Sequence, residues 1–183
     1  RHPDGLHYGG ARTEASNRIL ERVVAERLAG VERSLALDLH TGHGPNGAVT
    51  LLSDEPEGTE QDRFLREHLG ADRVLATVDN PDASTGTKSG QIASGFARLL
   101  GGATHHATSV EFGTTPDEQQ LAATYLESWV DRHGDRSDPD HARVIWDYRC
   151  CFTPPDPAWE ATCRASGAEL IDAAVRAVAA WDG

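Results

Sequence analysis

Two residues of this 183-residue sequence stand where chemistry is most easily done, near the carboxyl ends of short strand-like runs. His40 closes the run Ser34 to His40, in which Leu35, Leu37 and Leu39 alternate with Ser34, Ala36 and Asp38. The glycine-rich stretch Thr41-Gly42-His43-Gly44-Pro45-Asn46-Gly47 follows. A histidine there can point a ring nitrogen into a cleft and ligate a metal. Asp38 shares its side-chain parity and can support such a ligand from behind. The competing reading is a hydrogen-bonded histidine at a strand end. Glu111 interrupts the apolar run Ser109-Val110-Glu111-Phe112-Gly113. A carboxylate in such a run is costly unless it is paired or put to use. Facing a cleft, it is suited to proton transfer. The alternatives are an exposed edge position or a structural salt bridge.

Other constellations are weaker or fail. His40 and His43 form a His-x-x-His pair that can in principle chelate zinc, but Gly42 between them leaves the geometry undetermined. His105 and His106 fall at the start of a strand, opposite the cleft. No histidine has a glutamate three residues later, and there is no H-E-x-x-H. Ser84-Thr85-Gly86-Thr87-Lys88-Ser89 lacks the spacing of a phosphate loop. Neither a G-x-S-x-G elbow nor a G-x-G-x-x-G turn is present.

The elements that must position His40 and Glu111 alternate along the chain. Helical periodicity spans Thr13 to Leu28, with Thr13 as a cap, then Glu57 to Leu69, Gln91 to Leu100, Pro116 to Arg132 and Asp156 to Trp181. Strand patterns span Ser34 to His40, Ala48 to Leu52, Arg73 to Val78 and Ala107 to Phe112. Asp79 to Gly90 and His133 to Asp140 read as loops. Strands alternating with helices predict an α/β layer with a mostly parallel sheet. In such sheets ligands bind outside the carboxyl ends of strands, where His40 and Glu111 lie.

Composition narrows the classes. A formal charge of −12 with no basic face argues against nucleic acid. No apolar run reaches the ~18 residues of a membrane span. Cys150, Cys151 and Cys163 show no CxxC spacing, and a bridge between the adjacent pair would be strained. Idle thiols of this kind suit a reducing, cytoplasmic setting. The sequence has no methionine and begins Arg1-His2-Pro3, which suggests a processed or partial chain.

Three segments carry a family resemblance. Leu37-Asp38-Leu39-His40-Thr41-Gly42-His43-Gly44-Pro45-Asn46-Gly47 resembles the "DLHTGLGPxG" segment of bacterial zinc carboxypeptidase-like proteins. These are an uncharacterised branch of the metallocarboxypeptidase superfamily, which also holds succinylglutamate desuccinylase and aspartoacylase. Pro3-Asp4-Gly5-Leu6-His7-Tyr8-Gly9-Gly10 is similar to the branch's "P-x-G-L-x-Y-G-G", and Ser109-Val110-Glu111-Phe112-Gly113-Thr114 to its "S-x-E-F-G-T". The order and spacing of the three agree, over most of the chain.

The resemblance implies a three-layer α/β/α fold with a mostly parallel mixed sheet and one zinc, held by two histidines and a glutamate. His40 matches the last histidine ligand. Glu111 matches the general base that activates water and passes its proton to the leaving amine. The substrate would be a small peptide or an acyl-amino acid. The superfamily's first two ligands form an H-x-x-E motif upstream, and this sequence has none. Residues 1–183 are therefore expected to be the C-terminal part of a single carboxypeptidase-like domain, incomplete and inactive alone, with unpaired sheet edges. The Asn-Arg pair of the superfamily is not assigned to Asn17-Arg18, which fall inside a predicted helix. Two alternatives stand beside this expectation: a non-catalytic binding module that kept the fold and lost the metal, and a deacylase of N-acyl amino acids.

Overall fold

The Leu35/Leu37/Leu39 alternation forms the strand it predicts. In the computed structural model β1 runs Arg33–Gly42, two residues past His40, because Thr41 and Gly42 stay paired with Phe112 and Gly113. Residues 5, 8, 10–80, 91–100, 104–135 and 137–181 are described. The phosphate-loop-like stretch and most of the predicted loop before Gly90 lie outside them, as does most of the Pro3 to Gly10 segment. The other strands are β2 (Val49–Ser53), β3 (Val74–Ala76) and β4 (Thr104–Gly113). Predicted Arg73 to Val78 contracts to three strand residues, since 3-10 turns at Ala71–Arg73 and Thr77–Asp79 flank it. Predicted Ala107 to Phe112 lengthens, since pairing with β1 begins at Thr104.

Six helices accompany them: α1 (Ala15–Arg27), α2 (Glu60–Leu69), α3 (Ile92–Leu100), α4 (Asp117–His133), α5 (Pro139–Phe152) and α6 (Pro157–Ala179). The expected Thr13 cap is not formed: Glu14 holds the N-cap position of α1 and makes no side-chain cap bond. Thr59 does cap α2, its hydroxyl accepting from Asp62 N, so that helix starts three residues later than periodicity suggests. Sequence periodicity missed α5. It opens on Asp138, whose side chain accepts from Asp140 N, with Pro139 in its first turn.

The sheet order is β1-β4-β2-β3. β1 and β4 pair in parallel, as do β2 and β3, and β2 runs antiparallel to β4. Helices flank a mostly parallel mixed sheet, consistent with the three-layer α/β/α expectation. On one face Leu51, Val110 and Phe112 pack with Phe64, Leu65 and Leu69 of α2 and with Trp159, Leu170, Ala174 and Ala177 of α6. Leu51, Leu65 and Val110 are fully buried. The opposite face carries α3, and α1 packs on α3 through a buried Val24. No described helix is long and apolar enough to cross a membrane.

Two features of this frame bear on the site. The carboxyl ends of β1 and β4 lie side by side, and the chain leaves both at one end of the sheet. At the opposite end of β4, His106 is buried between Phe64 and Trp181, stacked on the indole with ring centroids 4.5 Å apart. His105 beside it shares a hydrogen bond of 2.7 Å with the Ser34 hydroxyl. Burial pushes both imidazoles below their ordinary range; at His106 the Glu60 carboxylate opposes the shift and His105 adds to it. This pair sits away from the cleft, as the sequence suggested.

Candidate functional site

His40 and Glu111 are register partners on adjacent parallel strands. In-register residues of a parallel pair project to the same face, on strands about 4.8 Å apart. On its other side Glu111 pairs with Thr50 of β2. The two residues singled out from sequence are therefore brought together at the expected end of the sheet. Glu111 is half-buried, and the His40 side chain is 45% exposed, so the place is reachable from solvent.

Asp38 stands two residues back on the same face, and its Oδ2 lies 2.8 Å from His40 Nε2. This is ion-pair proximity on the Nε2 side of the ring, with Nδ1 on the side away from Asp38. A carboxylate holding one imidazole nitrogen while the other meets a metal is a familiar ligand arrangement. In that respect His40 fits one arm of a zinc site. No group of three His, Cys, Asp or Glu side chains able to hold an ion is found among the described residues. His43 Nδ1 is directed to Asp117 Oδ2 at 3.1 Å, so that nitrogen is not offered to a His40/His43 chelate.

The loop after β1 is fixed to the exit of β4 by a lattice of bonds. Gly113 N donates to Ala48 O and Gly47 N donates to Gly113 O, each at 2.9 Å. Thr114 N donates to Gly42 O at 3.0 Å, and Asn46 Nδ2 donates to Thr114 O at 3.1 Å. Gln120 Nε2, one turn into α4, donates to Gly42 O at 3.0 Å and to Thr115 O at 2.6 Å. From the opposite face the Trp159 indole N–H donates to Gly113 O at 2.9 Å.

Close approach requires glycine at two points of this lattice. A β-carbon on Gly113 would lie 2.0 Å from Pro45 O. Gly44 has φ +102°, and a side chain there would meet the Thr50 hydroxyl.

Inside this frame the His43 backbone N–H reaches Glu111 Oε2 in a long hydrogen bond of 3.4 Å. Asp117, Gln120, Asn46 and Trp159 were not singled out in the sequence. Asp117 carries a signal in retrospect: it follows Pro116 at the start of a helix leaving the Glu111 strand. Gln120 and Asn46 carry none beyond their polar side chains. The three cysteines are free.

The family model described as "Protein of unknown function (DUF2817)" matches residues 1–165. No curated protein and no solved structure gives a match.

Proposed function

The chain belongs to the DUF2817 family of proteins of unknown function, and from that footing we propose that it serves a zinc-dependent hydrolase of peptide or other amide bonds. In this reading His40 is a zinc ligand and Glu111 the general base and acid. The observation that carries it is the register pairing of His40 with Glu111 at one sheet end, with Asp38 Oδ2 2.8 Å from His40 Nε2. The resemblance of three segments to carboxypeptidase-like proteins supplies the chemistry these positions would perform.

The division of labour follows from the residues. Asp38 lies beside His40 Nε2 and would support the imidazole from behind, with Nδ1 the atom that would meet the metal. Glu111 takes a proton from the attacking water as its oxygen adds to the amide carbonyl carbon. The same carboxyl group then gives that proton to the departing nitrogen as the C–N bond breaks, yielding a carboxylate and an amine. General acid–base help of this kind contributes about 10²–10⁴-fold. Zinc, when bound, supplies a Lewis acid that polarises the carbonyl and makes water a stronger acid at neutral pH. In this reading its remaining ligands would be the histidine and glutamate of an H-x-x-E motif, which these 183 residues do not contain. A cytoplasmic setting agrees with the three free thiols.

A calorimetric zinc titration of the full-length protein, with His40→Ala alongside, tests the metal half of the reading. The expected result is zinc binding that is lost in the variant. Superimposable isotherms for the two proteins would remove His40 from the ligand set and favour a binding module that kept the fold without the metal.

A further inference from the structure

Among the described residues, His43 is an imidazole at this end of the sheet that the proposed chemistry leaves unused, and two contacts define it. Its backbone N–H reaches Glu111 Oε2 at 3.4 Å, and its side-chain Nδ1 lies 3.1 Å from Asp117 Oδ2. We infer that His43 and Asp117 are positioning residues for Glu111, an inference that rests on reading Glu111 as the general base.

The argument begins with the loop. Thr41 to Gly47 contains three glycines and so has little intrinsic preference for a single path. The lattice described above anchors Gly42, Asn46 and Gly47, but none of those bonds touches residue 43 itself. Among the described residues, the hydrogen bonds of His43 across to other elements go to Glu111 and Asp117. A carboxylate cannot donate, so His43 Nδ1 carries the proton and donates to Asp117. Asp117 is itself well placed to hold a partner. It is the first residue of α4, a helix tied to the same loop through Gln120 and Gly42 O. His43 is thus gripped from a rigid element by its side chain, and its backbone N–H is thereby presented to the base.

The consequence for Glu111 is orientation. A donor on Oε2 limits rotation of the carboxylate and leaves Oε1 as the oxygen that takes the proton. Misplacement of a reacting group by about 1 Å can cost on the order of 10²-fold.

The test combines amide exchange with kinetics in the full-length protein, using an N-acylated dipeptide as probe. Asp117→Ala should speed hydrogen exchange at the His43 amide and lower kcat by about tenfold, with KM and zinc content unchanged. Asp117→Asn keeps an acceptor oxygen and should restore both. Glu118→Ala removes a neighbouring first-turn carboxylate without touching His43, and should leave both at wild-type values. Wild-type exchange and kcat in Asp117→Ala, alongside an inactive Glu111→Gln, would overturn the positioning role and spare the general base. Equal losses in Glu118→Ala would reduce Asp117 to a helix-start effect and overturn it as well. Wild-type turnover in Glu111→Gln would remove the general base and the positioning role with it.

Discussion

Replacing Gly113 with alanine probes the seam on which the site is built. A β-carbon there would sit 2.0 Å from Pro45 O and 2.6 Å from Gly44 O, both backbone atoms that no side-chain rotation can move. Reaching ordinary contact distance requires a shift of roughly 1 Å or more in either strand exit. Three bonds converge on this residue: its N–H to Ala48 O, and its carbonyl to Gly47 N and the Trp159 indole, each 2.9 Å. Each is worth about 1 kcal/mol net, and about 1–3 kcal/mol when a buried partner is left unsatisfied. Losing two of them puts the cost at about 2–6 kcal/mol, a large share of the ~5–15 kcal/mol that holds a domain together. At about 2–4 °C per kcal/mol for a chain of this size, Tm should fall by about 4–24 °C.

Urea unfolding followed by tryptophan fluorescence reads that change, since Trp159 bonds Gly113 directly. Gly95→Ala is the matched control. It lies within α3, and its nearest contact would be the Arg98 guanidinium at an ordinary 3.7 Å, so alanine should stabilise by about 0.5–1 kcal/mol. A Gly113→Ala protein as stable as wild type would refute the claim that this close approach holds the two strand exits together.

The acid limb of stability should report His106. Folded His106 takes up a proton less readily than the unfolded chain, so unfolding binds protons and stability drops as pH falls below about 6.5. His106→Phe, placed between Phe64 and Trp181, should flatten the urea midpoint between pH 7.5 and 5.5; an unchanged slope would assign it elsewhere. Leu170→Ala, at a residue 1% exposed beneath the sheet, should cost about 2–5 kcal/mol in the same assay, and a cost under 1 kcal/mol would place the core elsewhere.

Much of this architecture is legible in local pattern. The leucine alternation of β1 and the apolar run of β4 are strong signals because each strand is long and shielded on at least one face. Their adjacency was not readable from periodicity. Four strands and helices, β2, α2, β3 and α3, intervene in the chain, and only the three-dimensional sheet order puts His40 beside Glu111. α5 escaped because its pattern is blurred: Trp146 is exposed, and none of its residues is fully buried. β3 was overcalled because Thr77 and Val78 are good strand residues, yet Thr77 turns its hydroxyl to Ser53 O within a 3-10 turn.

The site divides the same way. His40, Asp38 and Glu111 belong to strands, where parity fixes which side chains share a face, so their juxtaposition follows once the strands pair. His43 and Asp117 belong to a loop and a helix start, where parity says nothing. Their contact depends on α4 leaning over the loop, which the Gln120 bonds to Gly42 O and Thr115 O arrange. A long-range fit of that kind leaves no periodic trace.

β1 also forms one edge of the sheet, and no strand pairs with its outer side among the described residues. Leu39 near its carboxyl end is 56% exposed. Such an edge with apolar side chains is prone to self-association.

The most direct test of the central claim is the hydrolysis of N-acyl amino acids and short peptides by the full-length, zinc-loaded protein, compared with Glu111→Gln. The account predicts that the variant keeps its zinc while turnover falls by about 10²–10⁴-fold. Turnover near the wild-type rate, with zinc retained, would contradict Glu111 as the general base.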